Sequence, residues 1–157
     1  MAKAATESEG ILIVSNNKKA FHDYEILERL EAGIVLKGSE VKSIREGNIN
    51  LKDTYIKIFH SEVYLVGCHI SPYSHSRQDA HETVCDRKLL LHKREIEKFS
   101  AKTKQKGLTL VPLKVYFKKG RCKVEIGVGK GKKLYDKRQD LKAKEANRDI
   151  ERAFKKR

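Results

Sequence analysis

The sequence predicts a mainly β fold, an OB-type antiparallel barrel of about six strands with two to three flanking helices and a basic C-terminal tail. Three observations carry this. Short segments of alternating apolar and polar residues recur and are joined mainly by turns of hairpin length. No regular strand-helix-strand rhythm runs through the 157 residues. The stretch from Lys130 to Arg157 holds 12 Lys/Arg against 5 Asp/Glu, +7 of the chain's +14, with too few apolar residues for a core.

In chain order, residues 24–30 and 34–38 predict one hairpin, joined through Glu31-Ala32-Gly33. Residues 39–45 predict a short helix, with Ser39 as its N-cap and Gly47 as its stop. Residues 54–59 and 63–67 form a second hairpin around His60-Ser61-Glu62. Residues 88–104 predict a longer helix, because Leu89, Ile96 and Phe99 fall at helical spacing and Gly107 lies just beyond. The clearest hairpin covers residues 110–128. There Val111, Leu113, Val115 and Phe117 alternate on one strand, Cys122, Val124, Ile126 and Val128 on the next, and Lys118-Lys119-Gly120 makes the turn. Its other face, with Lys114, Tyr116, Arg121, Lys123 and Glu125, is expected to be wet and mostly basic.

In the tail, Lys144, Arg148 and Arg152 recur every four residues and form one stripe on a helix. Leu134, Leu141, Ile150 and Phe154 are too spread to make a core, while Asp140 to Lys144 and Glu151 to Lys155 are i,i+4 acid-to-base pairs. The expected division is a disordered N-terminus over 1–10, an RNA-binding domain over 11–130 and a tail over 131–157.

A pI near 9.7 and 36% charged residues call for a polyanionic partner. RNA is favoured over a membrane surface, since the apolar run Ile11 to Val14 is far too short for a spanning helix or signal core. The expected compartment is the cytoplasm. Cys68, Cys85 and Cys122 are odd in number and far apart, which argues against a disulfide framework. His69, His75, His81 and Cys85 gather in one segment, but their spacing matches no metal motif, and no metal site or cofactor is assigned. Gly127, Gly129 and Gly131 superficially suggest a phosphate loop. Lys133 stands where a Walker motif needs a hydroxyl, so they read as a flexible joint. No nucleophile and base, and no pair of carboxylates, marks a catalytic centre. Asp136, inside a cationic run, reads as a partner of Lys or Arg.

The segment from Asn16 to Tyr24 brings two amides, two cations, an imidazole and a phenol to one place. Such a set suits phosphates, ribose hydroxyls and base edges, with His22 or Tyr24 able to stack on an unpaired base. A solvated turn before a strand would look similar. Glu31 on a basic face is a candidate acceptor for base amino groups.

The blocks NKKAFHDYEI, EAGIVLKGSEVKSIREGNINLKD, RKLLLHKREI, KGLTLVPLKVYFKKGRCKVEIGVGKGKK and DKRQDLK closely resemble, in order and spacing, the bacterial SsrA-binding (small protein B, SmpB) family. The resemblance covers nearly the whole chain. It implies a monomeric, non-enzymatic RNA-binding adaptor that holds the tRNA-like domain of transfer-messenger RNA (tmRNA) and supports trans-translation. It also implies a tail that is disordered when free and helical in the empty mRNA channel, at the decoding centre of the small ribosomal subunit.

By the same resemblance, Asn17, Lys18, Lys19, Glu31, Leu90 and Lys123 match positions linked to RNA binding. Gly131, Lys132, Lys133, Asp136, Lys137 and Arg138 match positions linked to ribosomal function. Two departures stand out. Tyr135 replaces a common His before Asp136-Lys137-Arg138, and a phenol can still stack. Thr83 and Cys85 replace a Pro and an Arg, which implies a differently shaped loop before Arg87 with one RNA contact fewer. The alternative function is a general OB-fold RNA chaperone or ribosome-associated protein binding many RNAs by charge and stacking. An RNA-processing nuclease fits least, for want of a His pair.

Overall fold

The computed structural model describes residues 10–75 and 81–156. The expected N-terminal disorder falls almost entirely on 1–9, outside the described residues. Nine strands and four helices are present among those described: β1 (Ile11–Asn16), α1 (Lys18–Asp23), β2 (Tyr24–Ile34), α2 (Gly38–Arg45), β3 (Ile49–Asn50), β4 (Tyr55–Phe59), β5 (Glu62–Val66), β6 (His69–Ile70), β7 (Arg87–Leu90), α3 (Lys93–Thr103), β8 (Leu108–Lys118), β9 (Arg121–Gly131) and α4 (Leu134–Lys155).

Seven strands form one antiparallel row, β1-β8-β9-β2-β7-β5-β4, and β3 pairs with β6 in a small second sheet. The ends of the row, β1 and β4, do not pair. The row curls until β4 lies beside residues 108–110 of β8, where a cleft of about 300 Å3 lined by both strands marks the seam. This is the OB-like, mainly β architecture expected, with a seam in place of a closed ladder.

The enclosed core holds Leu65, Leu89, Val115, Val124 and Ile126 from the sheet, Ile70 from β6, Ile44 from α2 and Phe99 from α3. Burying side chains of this size at about 1.5–3 kcal/mol each is what offsets the ordering of the chain.

The 110–128 hairpin forms as expected, with Lys119 and Gly120 both at positive φ in its turn. Its faces are another matter. A bulge at Leu113, between Pro112 and Lys114, shifts the register by one. Val115 and Phe117 point into the main core, whereas Val111 and Leu113 point outward and pack with Ala20 in a second, smaller cluster. Strict alternation cannot survive an extra residue, so the single apolar face expected for 111–117 is split in two. The opposite face is less wet than expected too, for Tyr116 is buried.

The Glu31-Ala32-Gly33 turn does not exist. β2 runs straight through it, pairing with β9 from Tyr24 to Gly33 and then with β7. Gly33 serves close approach instead: a Cβ there would sit 3.3 Å from the Leu90 side chain. The helix expected over 88–104 begins only at Lys93. Residues 87–90 alternate buried and exposed as a strand, so the spacing of Leu89 to the true helix was coincidental.

α2 is capped at Lys37 rather than Ser39. The Glu40 carboxylate accepts the Lys37 backbone N–H at 2.8 Å, while the Ser39 hydroxyl meets His81 Nδ1 at 3.0 Å. β1 was not foreseen. Segment 16–24 therefore crosses between two strands as α1, instead of leading into the first one.

Glu40 and Arg87 form a buried ion pair, 4% and 3% exposed. Arg87 Nε donates to Glu40 at 2.9 Å, and its other nitrogens donate to the carbonyls of Cys68, Cys85 and Glu82. One guanidinium thus fastens the loop before β7 to the core. His81 is buried as well, its Nε2 donating to the Ile70 carbonyl at 3.1 Å. Burial pushes the Cys68 thiol up to about 11 and that of Cys122 to about 12. All three cysteines are free.

Candidate RNA interface

α1 exists because of Asn17. Its side-chain oxygen accepts the Ala20 N–H at 3.2 Å, its amide nitrogen donates to the Pro112 carbonyl at 2.9 Å, and its backbone N–H donates to Leu113. Both ends of this amide are committed to capping the helix and seating it on the β8 bulge. Lys18 beside it is exposed, and Lys19 is exposed with its Nζ 3.0 Å from Asp53.

Beneath α1, Tyr24 lies over Gly129, whose missing Cβ makes the room, and the Arg29 guanidinium sits 5.5 Å from the Phe21 ring. Tyr24 is therefore half-buried against the second cluster.

The same outer face of the sheet continues past α1. Gly33 lies opposite Lys123 on β9 and Leu90 on β7, and Glu31 stands two positions earlier on β2, opposite Glu125. Antiparallel partners share a face, so Glu31, Leu90 and Lys123 come together although they are far apart in the chain. Around Glu31 the Tyr116 hydroxyl donates to the carboxylate and Lys118 Nζ stands 3.8 Å away. Burial, then the bond to Glu31, raises the Tyr116 phenol well above its ordinary value. Glu31 is held in place while still exposed. Leu90 is an exposed apolar side chain beside it, suited to the flat face of a base or ribose.

The root of the tail joins α1. Lys132 N–H donates to the Asp23 carbonyl at 2.9 Å, and Lys132 Nζ reaches the Phe21 carbonyl and the Asp140 carboxylate. Asp140 thus pairs with Lys132, within ion-pair distance, rather than with Lys144. Asp23 takes His22 Nδ1 at 3.1 Å and Lys137 Nζ at 3.2 Å. Gly131 ends β9 opposite Tyr24, Lys133 precedes α4, and Asp136 sits in its first turn, where a carboxylate suits the helix dipole. Tyr135 and Arg138 are exposed, the tyrosine hydroxyl accepting from Gln139 Nε2 at 2.8 Å. Beyond Asp140, α4 is exposed along its described length.

A family model described as "SmpB protein" matches residues 14–156. The chain belongs to the SmpB family. Among SmpB relatives, the SsrA-binding protein of Syntrophobacter fumaroxidans is 54% identical over 150 residues, covering 96% of this chain and 93% of the relative. That of Geobacillus thermodenitrificans is 57% identical over 145 residues, covering 92% and 94%. A solved structure described as "tmRNA-SmpB: a journey to the center of the bacterial ribosome" contains a similar chain, with TM-score 0.65 and 45% identity. The match covers 80% of this chain and 86% of that one.

Asp23, which organises the tail root, was not singled out in the sequence, and Asp140 was read there only as a partner of Lys144. The available signal was an acidic residue closing a basic segment immediately before a strand. No group of three or more His, Cys, Asp or Glu able to hold a metal occurs among the described residues, and no described helix is long and apolar enough to cross a membrane.

Proposed function

We propose that the chain is an RNA-binding adaptor that binds the tRNA-like domain of tmRNA and supports trans-translation on stalled ribosomes. The observation that carries this is SmpB-family membership over nearly the whole chain, its relatives being named for binding SsrA and its structural neighbour described with tmRNA and the ribosome. The adaptor has no catalytic role, acts as a monomer in the cytoplasm, and needs no cofactor.

The folded domain holds the RNA. Lys18, Lys19 and His22 approach phosphates from α1, while Glu31, Leu90 and Lys123 form a charged and apolar patch that admits base edges and ribose. Beyond its joint with Asp23 the tail is disordered in the free protein and becomes helical along the empty mRNA channel, where Tyr135, Asp136, Lys137 and Arg138 leave the joint for the decoding centre. Support for this comes from the exposed side chains of α4 beyond Asp140, which offer no apolar burial to offset an ordering cost of about 1–2 kcal/mol per residue.

The test replaces Asp136, Lys137 and Arg138 with alanine. Binding of tRNA-like RNA is expected to persist while rescue of stalled ribosomes is lost. The general-chaperone reading predicts instead that wild-type protein binds equally long single strands as tightly as the structured RNA at moderate salt.

A further inference from the structure

The edge strand β4 presents Tyr55, Lys57 and Phe59 on one face, because strand side chains alternate and Ile56 and Ile58 take the other. Tyr55 is 51% and Phe59 53% exposed. Two large rings left half in water on one short strand, in a chain this rich in charge, ask for a covering partner.

The surroundings are built as well as bare. Lys57 Nζ stands 5.2 Å from the Phe59 ring centroid, and the His60 ring meets Phe59 edge-on at 4.0 Å. Positive φ at His60 and Ser61 sets the turn that holds these rings. Across the hairpin, Lys57 faces Tyr64, which faces Lys88 on β7. The carboxylate on this face, Glu62, is neutralised by Lys88 at 2.6 Å and accepts the Tyr64 hydroxyl. No carboxylate among the described residues lies within ion-pair distance of Lys57. Tyr55 also lines the cleft of about 310 Å3 beside α1, together with Lys19 and Asp53, so this face continues from the α1 end of the interface described above.

We propose that the outer face of the β4–β5 hairpin is an additional RNA site, where Tyr55 and Phe59 stack on unpaired bases and Lys57 meets the phosphate between them. It rests on the reading of the chain as RNA-binding, and it adds two aromatic stacking platforms, which the Glu31-Leu90-Lys123 patch lacks. The two rings lie about 13 Å apart along the strand, too far to clamp one base, so each takes its own. Stacking on an aromatic ring is tolerant of base identity, while the lysine supplies charge attraction.

The chain contains no tryptophan, so Phe59→Trp in the full-length protein reports on this site alone. Titration with an eight-nucleotide oligouridylate is expected to quench its fluorescence saturably. An abasic ribose-phosphate chain of the same length should bind at least 10-fold more weakly, and adding Tyr55→Ala should weaken the oligouridylate about 10-fold. Absence of quenching, or equal binding of the abasic chain, would overturn the site. Wild-type binding to tRNA-like RNA, measured alongside by gel shift, separates the two ideas. If it persists without quenching, only this site falls; if it fails while the quenching holds, the adaptor reading falls and this site stands.

Discussion

Lys137 Nζ lies 3.2 Å from the Asp23 carboxylate and so ties the first turn of α4 to the end of α1. Two segments that the sequence presents as separate, a binding patch near the N-terminus and a basic tail, share one polar joint. Asp23 is its hub, and the Lys132–Asp140 pair is its second clasp.

The joint should respond to acid. Its hydrogen bond with His22, and then that with Lys137, hold the Asp23 carboxyl below its ordinary value of 3.8, and Lys132 does the same for Asp140. A depressed carboxylate stabilises the folded arrangement above its unfolded pKa and loses that contribution as pH falls through the folded one. Titration of these two groups therefore leaves the joint unchanged from about pH 5 upward and loosens it below about 4. Amide exchange over residues 134–140, corrected for intrinsic rate, should show this, and Asp23→Asn should reproduce part of the loosening at pH 7. Unchanged protection in that variant would remove Asp23 from the joint.

Asn17 and Lys18 should separate stability from binding. Asn17→Ala removes the α1 cap and its bond to Pro112, so thermal or denaturant unfolding should register a loss of about 1 kcal/mol. Lys18→Ala should leave stability within about 0.5 kcal/mol. Together with Lys123→Ala it should weaken RNA binding and flatten the log–log salt slope by about 0.7–0.9 for each phosphate that is no longer neutralised. An unchanged slope would mean that neither lysine meets a phosphate.

Arg87→Ala should be severely destabilising. It strands the buried Glu40 carboxylate and frees three carbonyls, a loss of about 3–5 kcal/mol in guanidinium unfolding. Arg87→Met combined with Glu40→Met should recover much of that, since the pair then leaves together. A single-variant loss under about 1 kcal/mol would show that water takes over the role of the guanidinium.

Gly129→Ala and Gly131→Ala should differ sharply. A Cβ at 129 would lie 2.9 Å from Tyr24 Cβ, inside contact distance of an atom close to the backbone, whereas nothing lies within 4 Å at 131. The first should cost about 1–3 kcal/mol in unfolding and the second little. These glycines were read as a flexible joint. Gly127 and Gly129 are instead buried positions within β9 that let the second cluster approach the sheet.

The sequence by itself determined the fold class, the hairpins at 54–67 and 110–128, the short helix before Gly47 and the basic charge of the tail, because each rests on local composition, periodicity and turn chemistry. Its five motif blocks also pointed to the SmpB family, and through it to positions such as Lys18, Glu31 and Lys123. Tertiary structure alone decided the rest. The bulge at Leu113 inverted a face that alternation had made uniform, and β2 ran through a glycine that looked like a turn because Leu90 needed the space. Arg87 went inward because Glu40 waited there. Glu31, Leu90 and Lys123 became neighbours, and Asp23 met Lys132 and Lys137, only through strand pairing and chain reversal. Those pairings join residues far apart in sequence, and no window short enough to show a periodicity contains both partners.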